Sequence, residues 1–80
     1  MTLEQFNMLD EMEQAEAIWG GKNVAKRSEG EFEVLLYQID GFYIEVYYHV
    51  DGNSLWKFNP ITSKQQLNTY SDQINLNQIL

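Results

Sequence analysis

Cysteine is absent from the sequence, and histidine and proline each occur once. Without a thiol the chain cannot form a disulfide, a cysteine-ligated zinc site or a cysteine nucleophile. The single histidine, His49, has no second imidazole with which to hold a metal ion. We therefore expect no metal and no cofactor. We expect the fold to be stabilised by packing alone, or by packing together with self-association.

Basic residues are scarce, since five lysines and arginines face twelve aspartates and glutamates, which gives a net charge of −7. Coulomb repulsion disfavours nucleic acid and anionic membrane surfaces as binding partners. A net charge of this size ordinarily keeps a small protein in solution. The alternative is that it attracts a basic protein partner.

Long apolar runs are also missing, and the N-terminus has no basic stretch followed by an apolar one. The sequence therefore predicts neither a membrane span nor a signal peptide. Together with the lack of cysteine, this pattern favours a cytoplasmic location. Eighty residues can enclose one hydrophobic core, so we expect residues 1–80 to form a single domain.

The N-terminal segment is rich in Met, Glu, Gln and Ala and has helical periodicity. Thr2 with Gln5, and Asp10 with Glu13, have the spacing of capping boxes. They predict two helical pieces, or one kinked helix, with a break near Leu9. Apolar residues recur three and four positions apart and form one predicted buried stripe, made of Phe6, Leu9, Met12, Ala15, Ile18 and Trp19.

Four strands follow, each bounded by a turn signal. We place them near Lys22–Arg27, Glu31–Ile39, Phe42–Val50 and Leu55–Asn59. Because short turns force successive strands to pair, the predicted strand order is 1-2-3-4. Pro60 cannot donate a ladder hydrogen bond and is expected to end the last strand.

A final helix is predicted after the strands, because Ser63 and Gln66 have capping-box spacing. Leu67, Tyr70 and Ile74 form its apolar stripe. The sequence thus predicts a two-layer α+β domain. It has an N-terminal helical segment, a four-stranded antiparallel meander and a C-terminal helix, with the helices on one face of the sheet. The apolar tail Leu76–Leu80 receives no placement.

The register between the second and third strands decides which side chains are buried. A three-residue loop, Ile39-Asp40-Gly41, pairs Gln38 with Phe42 and keeps the apolar even-numbered positions on one face. We predict this loop; the alternative is a two-residue Asp40-Gly41 turn that pairs Ile39 with Phe42. The predicted core face comprises Phe32, Val34, Leu36, Phe42, Ile44, Val46, Tyr48, Val50, Trp56 and Phe58.

The opposite face is expected to be open to solvent, although half of it is aromatic or aliphatic. Tyrosine pairs across strands can stiffen a sheet, by about 0.2–1 kcal/mol per pair. The other interpretation is a protein contact, because tyrosine offers both apolar area and a hydroxyl. The candidate interaction residues on this face are Leu35, Tyr37, Tyr43, Glu45, Tyr47, His49, Leu55 and Lys57.

Candidates for chemistry are few. Glu33, Glu45 and His49 would lie together on the predicted open face, and paired carboxylates with a histidine can move protons. A flat, exposed sheet offers little of the desolvation that shifts catalytic pKa values, so we do not expect an enzyme. Residues 51–55, DGNSL, begin like a calcium loop but lack the later ligands and therefore predict a turn.

Three functions are compatible with these patterns. We expect a small acidic protein-interaction domain that associates through the aromatic open face, most simply as a homodimer. The alternative is an acidic protein of the immunity or inhibitor kind that binds a basic partner. A more remote alternative is a small-ligand binder or acid/base enzyme that uses Glu33, Glu45 and His49.

Overall fold

The computed structural model describes residues 1–51 and 54–74. Two residues of the predicted turn, Gly52 and Asn53, lie outside the described residues, and so does the tail Leu76–Leu80. Within the described ranges no helix has the length and apolar composition needed to cross a membrane.

Two short helices open the chain, α1 over Leu3–Asn7 and α2 over Glu11–Trp19. Both predicted capping boxes are confirmed. The Gln5 backbone N–H donates to the Thr2 hydroxyl at 3.2 Å, and the Glu13 N–H donates to the Asp10 carboxylate at 2.8 Å. These caps satisfy N–H groups that have no partner inside the helix, and so they fix where each helix begins.

Only part of the predicted helical stripe is buried. Phe6 and Ile18 are buried, whereas Met12 is 74% exposed and Trp19 is half exposed. The reason is that α2 turns Ile18 and Ala17 toward the sheet, which leaves Met12 on its solvent side.

Four antiparallel strands form one sheet in the order β1-β2-β3-β4, as predicted. Their bounds are Lys22–Glu29 for β1, Phe32–Ile39 for β2, Phe42–His49 for β3 and Ser54–Pro60 for β4. A last helix, α3, spans Lys64–Leu67 and runs into a 3₁₀ turn over Asn68–Tyr70. The Ser63 N–H donates to the Gln66 side-chain oxygen at 3.0 Å at the start of α3.

The predicted three-residue loop between β2 and β3 is wrong, because Ile39 pairs with Phe42 across a two-residue Asp40-Gly41 turn. Asp40 has a φ of 50°, in the left-handed region that aspartate tolerates better than most residues. In this register the even positions of β2 share a face with the odd positions of β3. Apolar residues need to segregate onto one face only when the other face is open, whereas this sheet buries both of its faces.

The α+β class and the order of the elements are as predicted, but the helices lie on both faces of the sheet. The face covered by α1 and α2, the N-helix face, packs Ile39, Ile44 and Val46 against Phe6 and Ile18. The other, the C-helix face, is covered by α3, the 3₁₀ turn and Ile61. These pack against Ala25, Leu36 and Tyr43. The arrangement with all helices on one face is thereby corrected.

The predicted core face is divided in the same way. The register places Phe32, Val34 and Leu36 on the C-helix face, and it places Phe42, Ile44, Val46, Tyr48 and Phe58 on the N-helix face. Val50 and Trp56, also predicted in the core, are exposed.

Each edge strand contains a β-bulge. In β1 the pairing skips Val24, because Asn23 pairs with Tyr37 and Ala25 pairs with Leu36. In β4 it skips Trp56, because Lys57 pairs with Tyr47 and Leu55 with Tyr48. A bulge inserts one unpaired residue and redirects its side chain, which explains why Trp56 lies beside Tyr47 rather than in the predicted core.

The two ends of the sheet differ in cover. The covered end, at the Asp40-Gly41 turn, has helices on both faces and contains the two apolar clusters. The open end bears the turn between β1 and β2 and the outer parts of β3 and β4. Its large apolar side chains Val50, Leu55 and Trp56 are exposed.

Candidate functional site

The observed register divides the eight predicted interaction residues between the two faces. Those on the C-helix face are Tyr43, Glu45, Tyr47, His49 and Lys57, and those on the N-helix face are Leu35, Tyr37 and Leu55. Tyr43, Glu45 and Tyr47 are buried, and Leu55 and Lys57 are exposed. The single open face expected from the sequence is therefore not formed.

Tyr37 and Leu35 lie in the layer beneath the N-terminal helices. The Trp19 ring meets the Tyr37 ring edge-on with centroids 5.5 Å apart, and it stacks with Tyr48 at 6.4 Å. Leu35 packs at the margin of the same apolar cluster. These two residues therefore pack against the N-terminal helices, whereas the sequence predicted that they would lie on an open interaction face.

The structure does not bring the acid/base set together. Glu33 pairs with Tyr48 across the strands and so lies on the N-helix face, opposite Glu45 and His49. Its carboxylate accepts a hydrogen bond from the Ser28 hydroxyl at 3.1 Å. His49 instead lies 3.2 Å from a carboxylate oxygen of Glu31.

Glu45 is the one buried charged side chain among the described residues, with 5% of its surface exposed. Three groups donate hydrogen bonds to its carboxylate: the Tyr70 hydroxyl at 2.6 Å, Asn59 Nδ2 at 2.8 Å and Arg27 Nη2 at 3.1 Å. A buried carboxylate is stable only when it is paired in this way. Both oxygens of the carboxylate are therefore already engaged within the fold.

Arg27 is the centre of this network. Its guanidinium also donates to Glu29 at 2.7 Å and to the Tyr47 hydroxyl at 2.9 Å. Burial disfavours the charged form, but the hydrogen bonds to Glu29, Tyr70 and Glu45 outweigh burial and raise the Arg27 pKa above its ordinary value. The hydrogen bond from Arg27 lowers the pKa of Glu29. The positive charge of Arg27 is thus neutralised within the fold.

The Tyr70 hydroxyl joins the C-terminal segment to the same network. It accepts a hydrogen bond from Arg27 Nε at 3.1 Å while it donates to Glu45. Burial, and then the hydrogen bond and charge of Glu45, raise the Tyr70 pKa. Burial also raises the pKa of Tyr47, followed by the charge of Glu45. Both hydroxyls therefore stay protonated at neutral pH.

An open recess of about 300 Å³ lies next to this network, at the open end of the C-helix face. We call it the aromatic recess; its lining residues are Glu29, Gly30, Glu31, Phe32, Tyr47, Trp56 and Lys57. The Phe32 and Trp56 rings stack with centroids 4.4 Å apart. The Tyr47 ring meets Trp56 edge-on at 5.6 Å.

The Lys57 ammonium lies over two of these rings. Its Nζ is 4.3 Å from the Trp56 ring centroid and 4.8 Å from the Tyr47 centroid. Both distances fall within the range of a cation–π interaction. The recess therefore combines aromatic faces, two carboxylates and one amine.

Sequence reasoning missed Arg27, Glu29, Phe32, Trp56 and Tyr70 as site residues. Arg27 and Glu29 are two positions apart in β1, and this alternation could have placed both on one face. The bulge that turns Trp56 toward Phe32 leaves no signature in the local sequence.

Among residues 1–51 and 54–74 no group of three or more histidine, aspartate or glutamate side chains is arranged to hold a metal ion. Comparison with known proteins found no matching family model, no matching curated protein and no matching solved structure. A function can therefore be inferred only from the geometry of this chain.

Proposed function

We propose that the chain is a small acidic protein-interaction domain that binds a basic partner protein through the open end of its sheet. Trp56 is the observation that supports this most directly. Its indole is 54% exposed and is held by stacking on Phe32. Rigid aromatic side chains of this kind are the commonest anchors of protein interfaces.

Trp56 is one of three large apolar side chains exposed at the open end, although Leu55 lies on the other face of the sheet. Val50 and Leu55, in the same β3–β4 hairpin, are also exposed. Single exposed apolar residues are normal on a protein surface, but several neighbours in one hairpin are typical of a contact site. The fold does not need them, because the apolar clusters lie at the covered end.

The charge around this surface favours a basic partner over a second copy. Glu29, Glu31 and Asp51 are exposed carboxylates at the open end. The nearby guanidinium of Arg27 is already paired with Glu45 and Glu29. A second copy would bring the same negative charges to the contact, whereas a basic protein would be attracted by them and by the net charge of −7.

A basic partner corresponds to the immunity- or inhibitor-type alternative that the acidic sequence also allows. The homodimer through the eight predicted residues has less support, because those residues lie on two faces. The cytoplasmic location and the single domain over residues 1–80 stay predictions.

Site-specific photocross-linking in the cells that produce the protein tests the proposal. A benzophenone side chain at position 55 samples the open end, and the same group at position 12 is the control, because Met12 is exposed on the helical layer. We expect position 55 alone to cross-link one partner, and mass spectrometry to identify a basic protein. Cross-linking to a second copy, or to an acidic protein, would overturn the proposal.

The identified partner is then purified for a binding measurement. We expect Trp56→Ala to raise the Kd by about 10-fold or more, because interface anchors contribute about 2 kcal/mol or more. The control, Met12→Ala, should leave the Kd unchanged. An equal effect of both variants would contradict a contact at the open end.

A further inference from the structure

We propose that the aromatic recess binds the ammonium group of a lysine side chain on the partner protein, and that Lys57 occupies the recess until that lysine displaces it. The inference rests on the proposed function and names the chemical group that the open end recognises. We choose lysine over other cationic groups because the recess already accommodates the primary ammonium of Lys57.

The Lys57 ammonium lies in a corner between two aromatic rings. It lies over the Trp56 face, and Trp56 turns its other face to Phe32, the two planes being only 18° apart. Tyr47 forms the second wall, at 82° to Trp56. Two ring faces at nearly right angles make a corner in which one small cation can contact both.

The walls of this corner are fixed before any partner arrives. The bulge in β4 turns Trp56 onto the C-helix face, where Phe32 holds it. The Tyr47 hydroxyl accepts a hydrogen bond from Arg27, which is itself bound to the buried Glu45. A recess with fixed walls loses little entropy when it binds a ligand.

Charge at the rim also suits a cation. Glu29 and Glu31 line the recess, and both carboxylates are mainly exposed. The positive charge of Lys57 contributes to the lowered pKa of Glu29, after the hydrogen bond and charge of Arg27. Glu29 is therefore ionised at neutral pH and, although it is paired with Arg27, adds to the negative charge at the rim.

Lys57 itself is held weakly. Within residues 1–51 and 54–74 its ammonium forms no ion pair, so the two rings are its main contacts. Exposed cation–π contacts favour the bound position by a factor of only about two to five. A lysine from a bound partner, at high local concentration, can replace it.

The test is an NMR titration of the full-length chain, read from the indole N–H signal of Trp56, with the Trp19 signal as internal control. The probe is a blocked five-residue peptide with one central lysine among glycines and alanines, used up to about 10 mM. We expect the Trp56 signal to shift with the lysine peptide and to stay in place with the Nε-acetyl-lysine peptide. Equal shifts with both peptides, or with neither, would overturn the inference.

Removing the internal occupant gives a second, independent measurement. Lys57→Ser should lower the Kd of the lysine peptide about two- to five-fold, because the competing ammonium is gone. Lys64→Ser is the matched control, since it removes the same charge from α3 and should change the Kd much less. Equal effects of the two variants would show general attraction to negative charge and would contradict displacement of Lys57.

Trp56→Leu tests the ring itself while it keeps an apolar side chain at this exposed position. We expect the peptide Kd to rise about two- to five-fold, the factor that an exposed cation–π contact supplies. An unchanged Kd would overturn the role of the aromatic face. Circular dichroism of each variant checks that the fold is retained, and the acetyl-lysine comparison decides the question without any variant.

The results separate this inference from the proposed function. One outcome is that a basic partner cross-links at position 55 while the lysine and acetyl-lysine peptides shift the Trp56 signal equally. That outcome would contradict the lysine site and leave the proposed function intact. The opposite outcome is that a second copy cross-links at position 55 while only the lysine peptide shifts the Trp56 signal. That outcome would contradict a basic partner and support a recess that binds lysine.

Discussion

The covered end and the open end of the same sheet are built from similar residues but differ in what those residues contact. At the covered end Ile44, Val46 and Leu36 are completely buried between helices. At the open end Val50, Leu55 and Trp56 face solvent, although they are equally apolar. The difference shows that helical cover, and not the composition of the strands, separates the core from the candidate contact surface.

The buried network joins the two ends. Tyr70 belongs to the apolar cluster of the covered end, whereas Arg27 and Tyr47 extend from it to the aromatic recess. A defect in the network should therefore affect stability first and the recess second.

Glu45→Ala should cause the largest loss of stability. The substitution removes the buried acceptor that Arg27, Tyr70 and Asn59 share, and breaking a buried pair costs about 3–5 kcal/mol. Urea unfolding followed by circular dichroism measures the change in the free energy of unfolding. The control is Glu33→Ala on the neighbouring strand, which should cost about 0.5 kcal/mol or less. Similar losses for both variants would contradict the special position of Glu45.

The same substitution at each end compares the two directly. Leu36→Ala, at a side chain with 0% exposure, should lower the free energy of unfolding by about 2–5 kcal/mol. Leu55→Ala, at 38% exposure, should lower it by about 0.5 kcal/mol or less. A large loss for Leu55→Ala would mean that the open end belongs to the core.

Two glycines test backbone fit at the two ends. A Cβ at Gly21 would lie 2.6 Å from the Gln38 carbonyl oxygen, so Gly21→Ala should cost about 1–3 kcal/mol. Gly30, at the open end, has a φ of 56° and nothing near its Cβ position, so Gly30→Ala should cost about 1 kcal/mol through backbone strain alone. Gly30→Asn should recover part of this loss, whereas Gly21→Asn should recover none. If asparagine recovered stability at both positions, the loss at Gly21 could not be due to a collision with the Gln38 carbonyl oxygen.

Alkaline pH should weaken the network by the smallest amount. The folded Tyr70 has a pKa raised above the ordinary value of 10.0, so its contribution is complete below pH 10 and is lost as the pH rises further. When the pH rises from 8 to 10.5, this tyrosine ionises in the unfolded chain but stays protonated in the folded one. The free energy of unfolding should therefore fall by about 0.8 kcal/mol. Urea unfolding at both pH values should show a smaller difference for Tyr70→Phe than for the wild type. An equal difference would assign the effect to other tyrosines.

Local signals in the sequence predicted the elements well. The capping boxes at Thr2 and Asp10, and the turn residues between strands, act within a few positions of the chain. Sequential pairing of short-turned strands then led to the correct strand order. The caps depend on hydrogen bonds within a few residues, and the strand order depends on the short turns that join successive strands.

The features that the sequence did not reveal depend on contacts between distant segments. The register at Asp40-Gly41 was predicted on the assumption that only one face of the sheet is buried. The C-terminal helix covers the second face, so this assumption does not hold. The hydrogen bonds of Glu45 to Arg27 and Tyr70 join residues 18 and 25 positions apart. Periodicity carries no information about such partners, and so the network was not predicted.

The bulges in β1 and β4 have a consequence for how this protein meets other chains. A regular edge strand presents a row of unpaired backbone groups that can template another strand, and repeated addition of this kind leads to fibrils. Here both edges are interrupted, at Val24 and at Trp56. The proposed contacts at the open end would accordingly be made by side chains and not by the addition of a strand. The same irregularity that aims Trp56 outward thus protects a small, aromatic-rich sheet from aggregation.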